Sequence, residues 1–278
     1  MLFGPFWPPF SSQIHAQSVV RTPFRTVFSL AEDLRLALDR AAFARALGLE
    51  PDEWQEELLR SSSDRVLLNC SRQSGKSTMV AIITLHRALY HPNSLVLCLA
   101  PALIQSQELF AKDLSFYRDL GKPVPAHAEN KLSLELENSS RIMTLPGTEK
   151  TIRGFSGAAL IILDEAAQVD DGLDFAVRTM LAVSGGALMM LTTPYGKRGV
   201  FYEEWTGGHG WERYEVPASQ CPRISEEFLE QERTSLPPFI FRQEYQCSFE
   251  ETEDQVFTTD MIDKAVTDEV QPLFGTGG

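Results

Sequence analysis

Residues 70–77 read Cys-Ser-Arg-Gln-Ser-Gly-Lys-Ser. Glycine, lysine and a hydroxyl residue in a row suit a phosphate chain: backbone that can approach closely, a reaching cation, and a metal ligand. In that reading Lys76 reaches the β- and γ-phosphates and Ser77 ligates Mg2+. The loop residues Ser71, Arg72, Gln73, Ser74 and Gly75, with Thr78, wrap the rest of the nucleotide. The usual spacing, G-x-x-x-x-G-K-[ST], has a glycine where this chain has Cys70. Cysteine is small, so the turn still forms if its φ stays negative. Arg72 has two readings, a γ-phosphate contact in cis or a structural ion pair.

The stretch Leu160-Ile-Ile-Leu-Asp-Glu165 supplies a second set. Asp164, at the tip of an apolar strand, suits Mg2+, directly or through water. Glu165 can orient or deprotonate an attacking water, which argues for hydrolysis over mere binding. Thr192 and Thr193 close another apolar run; their hydroxyls could sense loss of the γ-phosphate, or they are ordinary β-branched strand ends. Gln55 can read adenine through its paired amide donor and acceptor, with Trp54 packed nearby. An amphipathic helix carrying a tryptophan is the plainer alternative.

These residues need a scaffold that brings strand ends together. "SLAEDLRLALDRAAFARALGLEP" reads as one helix, with Ser29 and Glu32 as a capping-box pair. "PDEWQEELLRS" reads as a second, with Pro51 at its start. From residue 65 short apolar runs alternate with helical stretches: "RVLLNC", "SLVLCLAP", "ALIILDEAA" and "GALMMLTTP". The runs are too short for helices and too uniformly apolar for one-sided strands, so they suit a parallel sheet buried between helices. "LSLELENSSRIMTLP" reads as a hairpin around Asn138-Ser139. Two helices, split by Pro237-Pro238, are expected over 224–247. The expectation is an α/β doubly wound core, one or two domains in size.

The formal net charge is −13 over 278 residues. Nucleic-acid binding therefore needs a local basic stripe. Lys197 and Arg198, on a glycine-bounded loop, are one candidate for DNA phosphates or a neighbouring subunit. The cysteines Cys70, Cys98, Cys221 and Cys247 lack metal-ligand spacing and read as reduced thiols. No run approaches transmembrane length, so no membrane role is expected. The opening "MLFGPFWPPF" makes a poor signal peptide.

In order and spacing these motifs resemble the large terminase subunits of tailed bacteriophages, motors that pack DNA into capsids. "WQ" at 54–55 looks like the family's adenine motif, and "CSRQSGKST" like its deviant phosphate loop, in which the first glycine is often absent. "LIILDEAAQV" resembles the acidic motif, "LTTP" at 191–194 the coupling motif, and "FRQEYQCSFEETEDQVF" the segment closing the ATPase region. The similarity covers about residues 50–260.

The resemblance implies a P-loop NTPase fold of the ASCE type: a three-layer sandwich with a mainly parallel sheet and a small helical C-terminal subdomain. It implies an irregular arm (1–28), an ATPase core with N-terminal helices (29–220), a helical lid or linker (221–265) and a flexible tail (266–278). The family's nuclease domain finds no room after residue 278 and is expected to be absent, and nuclease activity with it. ATP and Mg2+ are the implied ligands. The implied partners are double-stranded DNA, the capsid portal, the small terminase subunit and a homo-oligomeric ring, with a monomer expected in isolation. The implied place is the host bacterial cytoplasm, transiently on procapsids. Arg153, in "TIRGFSG", is the implied arginine finger for a neighbour's ATP, with Arg141 as rival. A helicase-like DNA-dependent ATPase and a nucleotide-binding assembly module without turnover remain alternatives.

Overall fold

The structure, a computed structural model, describes residues 29–251. The N-terminal arm, the tail and the last part of the lid segment lie outside the described residues.

Eight strands form one sheet: β1 (Arg65–Cys70), β2 (Leu95–Ala100), β3 (Ala126–Glu129), β4 (Ser133–Leu136), β5 (Arg141–Pro146), β6 (Ala158–Asp164), β7 (Ala187–Thr192) and β8 (Glu212–Val216). Their order is β3-β4-β5-β2-β6-β7-β1-β8. The six from β5 to β8 in that order run parallel, and β3 and β4 add antiparallel pairings on one side. The expected hairpin is β4–β5.

The uniform apolarity of the central runs has a simple cause. Successive strand side chains point to opposite faces, and both faces are covered. Val66, Leu68, Val96, Cys98, Leu160, Ile162, Met189 and Leu191 enter one core. With them pack α2 (Arg40–Ala46), α3 (Glu53–Arg60), α4 (Lys76–Tyr90) and α5 (Leu103–Asp119). Leu67, Leu97, Leu99, Ile161, Leu163, Leu188 and Met190 enter the other. That second core is closed by α6 (Glu149–Ile152), α7 (Asp171–Ser184) and α8 (Gly199–Thr206). This is the three-layer α/β sandwich anticipated.

The first expected helix is two. α1 (Leu30–Leu38) stops at Asp39, whose extended backbone (φ −130°, ψ 103°) starts α2 and whose carboxylate accepts the Ala41 amide. Ser29 does cap α1 by accepting from the Glu32 amide, while the Glu32 carboxylate turns to Arg35. Leu30, Leu34 and Leu38 face outward, and Leu36 faces in. α9 (Glu226–Ser235) and α10 (Pro238–Gln246) form the helical pair, split where the two prolines fall. The sequence pattern does not announce β3, β8, α6 or α8. β8, "ERYEV", buries only Val216 fully, so its apolar signal is weak.

Candidate active site

β1, β6 and β7 are adjacent or one strand apart, and all three end at the same edge of the sheet. That register puts the loop after Cys70, the acids at the tip of β6 and the threonines at the tip of β7 side by side. The phosphate loop keeps Cys70 inside β1, paired with Val216 and fully buried. Cys70 has negative φ; the positive φ values fall on Gln73 (59°) and Gly75 (96°). The turn is therefore made later in the loop, and the first glycine is dispensable. Burial pushes the Cys70 thiol up to about 12, so it is inert there.

Gly75 has a second constraint. A Cβ on it would lie 2.8 Å from the Gln55 Nε2. Ser71 and Ser74 are fully buried, so the loop offers phosphates its backbone amides and not these hydroxyls. The Ser77 hydroxyl, in the first turn of α4, has no hydrogen-bond partner among the described residues and remains available to a metal. Thr78 donates its amide to the Gly75 carbonyl.

Lys76 is the centre of the arrangement. Its Nζ lies 3.1 Å from Glu165 Oε1 and donates to Thr193 Oγ1 at 2.9 Å. Thr192 Oγ1 lies 3.4 Å from Glu165 Oε2 and donates to the Thr193 carbonyl at 2.7 Å. Loop, acid strand and threonine pair thus form one contiguous network. Glu165 itself sits in left-handed backbone (φ 50°, ψ 45°). Such a conformation costs on the order of 1–3 kcal/mol in a non-glycine residue and concentrates where function requires it.

Asp164 is only 6% exposed, and its Oδ1 accepts the Glu165 amide at 3.0 Å. Burial, then the adjacent Glu165 charge, push its carboxyl up to about 6, with Lys76 opposing. A buried carboxylate repelled by its neighbour fits a divalent cation, which relieves both penalties.

Other assigned residues take different positions. Trp54 is in the core on α3. Gln55 is 3% exposed; its Oε1 accepts the Asp52 amide and its Nε2 donates to the Ser74 carbonyl. Both ends of the amide assigned to adenine are thus engaged within the protein, and Gln55 braces the loop. The Arg72 side chain is 70% exposed and pairs with Glu244 on α10, whose carbonyl also accepts the Arg72 amide. Of its two readings, the ion pair is what forms. Arg153 follows α6 and lines a cleft with Phe155, Phe175 and Met180. Arg141 begins β5, so it lies at the opposite edge of the sheet from the loop. Arg198 lies over the Tyr195 ring, 5.7 Å from its centroid. Glu250 is held below the usual carboxylate range chiefly by the Arg242 guanidinium, with Lys197 a minor contributor.

Two residues escape sequence reasoning. Arg223 donates to Asp52 Oδ1 at 2.9 Å, lies 2.8 Å from Oδ2 as an ion pair, and donates to the Ser74 carbonyl at 2.9 Å, tying loop to α3. Asn69 donates to the Cys247 carbonyl at 2.9 Å, holding the end of α10 against β1. Neither belongs to a recognisable local pattern, and their partners lie 171 and 178 residues away in the chain. Among the described residues no His/Cys/Asp/Glu cluster forms a metal cage, the four cysteines are free and buried, and no helix is long and apolar enough to cross a membrane.

The family described as terminase large subunit, T4-like virus type, N-terminal, matches residues 67–264. The large terminase subunit of Thermus virus P23-45 is 26% identical over 253 residues, covering 78% of this chain and 52% of that protein. This chain thus spans about half the length of the curated relatives it matches. The large terminase ATPase domain of Thermus phage P74-26 superposes with a TM-score of 0.67 at 22% identity, covering 75% of this chain and 97% of that one. The large terminase of a thermophilic bacteriophage, in complex with ADP, gives 0.55 at 9% identity, covering 74% of this chain and 52% of that one.

Proposed function

Because this chain belongs to the T4-like large terminase subunit family, in its N-terminal region, we propose that it hydrolyses ATP to drive double-stranded DNA into a viral procapsid. The observation that carries the proposal is the Glu165–Lys76–Thr193 network at one strand edge. It links a phosphate-binding cation, a base and a strand end that can move.

Phosphates lie on the loop amides at the N-terminus of α4 and on Lys76. A γ-phosphate at Lys76 competes with the Glu165 carboxylate for the ammonium. Glu165 is thereby released to take a proton from the attacking water. Ser77 and Asp164 would hold Mg2+, which when bound neutralises charge on the β- and γ-oxygens. Thr193 shares Lys76 with Glu165, so loss of the γ-phosphate is felt directly at the end of β7. Trp54 and Gln55 act by bracing the loop. Arg153, on its flanking cleft, serves a neighbouring subunit's ATP, and Arg72 fixes α10 to the loop. The partners that follow are the portal, the small terminase subunit and a ring of copies, in the bacterial cytoplasm on procapsids.

The test is ATP turnover across a protein-concentration series, with Lys76→Ala and Arg153→Ala beside it. Specific activity that rises with concentration and is lost in both variants supports a site completed between subunits. Mutant-sensitive activity that is flat with concentration places every catalytic group in one chain. Turnover that survives Lys76→Ala overturns the assignment of the site.

A further inference from the structure

The strands have a second edge, and it carries charge of its own. A cavity of about 280 Å³ opens where β1, β6 and β7 begin. Strands of this length rise about 20 Å, so the cavity lies roughly that far from the phosphate loop. It is lined by Arg40 on α2, His86 and Arg87 on α4, His91 just after it, the Ser61–Asp64 turn and the starts of β6 and β7.

The cations there are poorly answered. Arg87 is half-buried, its Nε has no exposed surface, and it makes no hydrogen bond or ion pair among the described residues. Arg40 donates to the Ser61 carbonyl and forms no ion pair within the described residues. The two guanidiniums are close enough to repel: after burial, Arg87 is the largest influence holding Arg40 below its usual value. The nearby Glu212 acts on Arg40 in the opposite direction but forms no ion pair with it, its oxygens accepting from the Ser61 and Tyr214 hydroxyls. The one acid in the lining, Asp64, is exposed and pairs with neither arginine. His86 is neutral, its ring pushed down to about 4 by burial, with Nε2 donating to the Leu36 carbonyl. Burial and the two arginines also lower His91. A helix C-terminus attracts one cation, which accounts for Arg87 near the end of α4 but not for a second guanidinium beside it. A partly buried guanidinium with no acceptor, as at Arg87, or with one neutral carbonyl and no counter-ion, as at Arg40, is costly unless an anion completes it. The chain carries a net charge of −13 and 38 acidic side chains, yet the lining of this cavity holds one acid, the exposed Asp64.

We propose that this cavity is a phosphate-binding site, distinct from the ATP site, in which Arg40 and Arg87 clamp a tetrahedral phosphate group and the Ser61–Asp64 turn closes one side. Phosphate is favoured over carboxylate by the two separate forks, one on α2 and one on α4, which converge from different elements on an acceptor with oxygens on several sides. The group is either free phosphate, the product released at the other edge, or a backbone phosphate of the polynucleotide.

The test uses the full chain carrying Lys76→Ala, which weakens phosphate binding at the loop, so that dependence on Arg87 reports the second site. Inorganic phosphate and, separately, a short DNA duplex are titrated calorimetrically, with and without Arg87→Gln. Loss of one charge-assisted fork is expected to weaken binding about tenfold or more. Arg87-dependent binding of inorganic phosphate identifies free phosphate; Arg87-dependent binding of duplex alone identifies the backbone. His91→Glu, an acid at the exposed mouth, is expected to weaken the same titration and guards against a folding defect in Arg87→Gln. Phosphate and duplex titrations indifferent to both substitutions, in variants with unchanged melting curves, would refute the site.

Discussion

The two edges of one sheet treat charge in opposite ways. At the edge where β1, β6 and β7 end, cations are answered from within: Lys76 by Glu165, Arg72 by Glu244, Arg223 by Asp52. At the edge where they begin, Arg40 and Arg87 face a cavity and each other. On the proposed function, only the Lys76–Glu165 pair is one that substrate can exchange, while the other two hold the loop in place. The second has nothing to exchange and only something to gain. Parallel strands explain why the edges differ at all: their ends lie at one edge and their starts at the other, so loops of one kind collect together.

Glu165→Gln tests the first edge most severely. It keeps the shape but removes the base and the counter-charge to Lys76, and turnover is expected to fall by about 10²–10⁴ while ATP still binds. Binding and chemistry lost together would instead make Glu165 part of the cradle.

Between the edges lies an acid that burial keeps protonated. Asp113 on α5 is fully buried against the Thr84 hydroxyl, and burial pushes its carboxyl up to about 8 from 3.8. Thr84 also bonds the Ala81 carbonyl. One hydroxyl proton cannot serve both, so a protonated Asp113 supplies the second. The folded state keeps this proton longer than the unfolded chain does. Its contribution is therefore fully present below about pH 4 and is lost as pH rises to about 8. Asp113→Asn is expected to stabilise the protein at pH 8 and above by on the order of a few kcal/mol and to flatten that pH dependence. Thermal melts across the neutral range, from mildly acidic to mildly basic buffer, decide it.

Asp164 gives a smaller effect, on activity. Its carboxyl, raised to about 6, must be ionised to hold a cation, so turnover is expected to drop about tenfold per unit below that pH. Excess Mg2+ should shift this acid limb downward; an acid limb indifferent to Mg2+ would assign it to another group.

The smallest effects contrast the edges directly. Arg223→Ala is expected to cost a few tenths to about 1 kcal/mol, since the pair is half-exposed, and to loosen the loop, raising KM for ATP. Arg87→Gln should change stability by no more than a few tenths of a kcal/mol in phosphate-free buffer, because relief of the like-charge contact offsets the lost attraction of the α4 C-terminus, and should leave ATP turnover unchanged. Equal destabilisation by both would mean that Arg87 has a structural anchor after all.

Much of the phosphate-loop edge is legible in the sequence because its parts are local. A glycine that must be glycine, a lysine beside it, and an acid pair after an apolar run are each set within a few residues, and strand alternation brings the runs into one sheet. Even the missing first glycine reads correctly, since a small residue with negative φ suffices inside β1. What the sequence does not contain is which long-range partner claims a side chain. Gln55 looks free to read a base until Ser74 and Asp52 take both ends of its amide. Arg72 looks aimed at phosphate until Glu244 arrives from α10. The helix at 30–46 looks continuous until Asp39 caps a second one, and the outward Leu30, Leu34 and Leu38 share the spacing of a buried face. Periodicity and backbone chemistry act over a few bonds and are written in order along the chain. Pairing and burial depend on what folding brings within a few ångströms, and for Asn69, Arg72, Arg87 and Arg223 only the tertiary structure decided that.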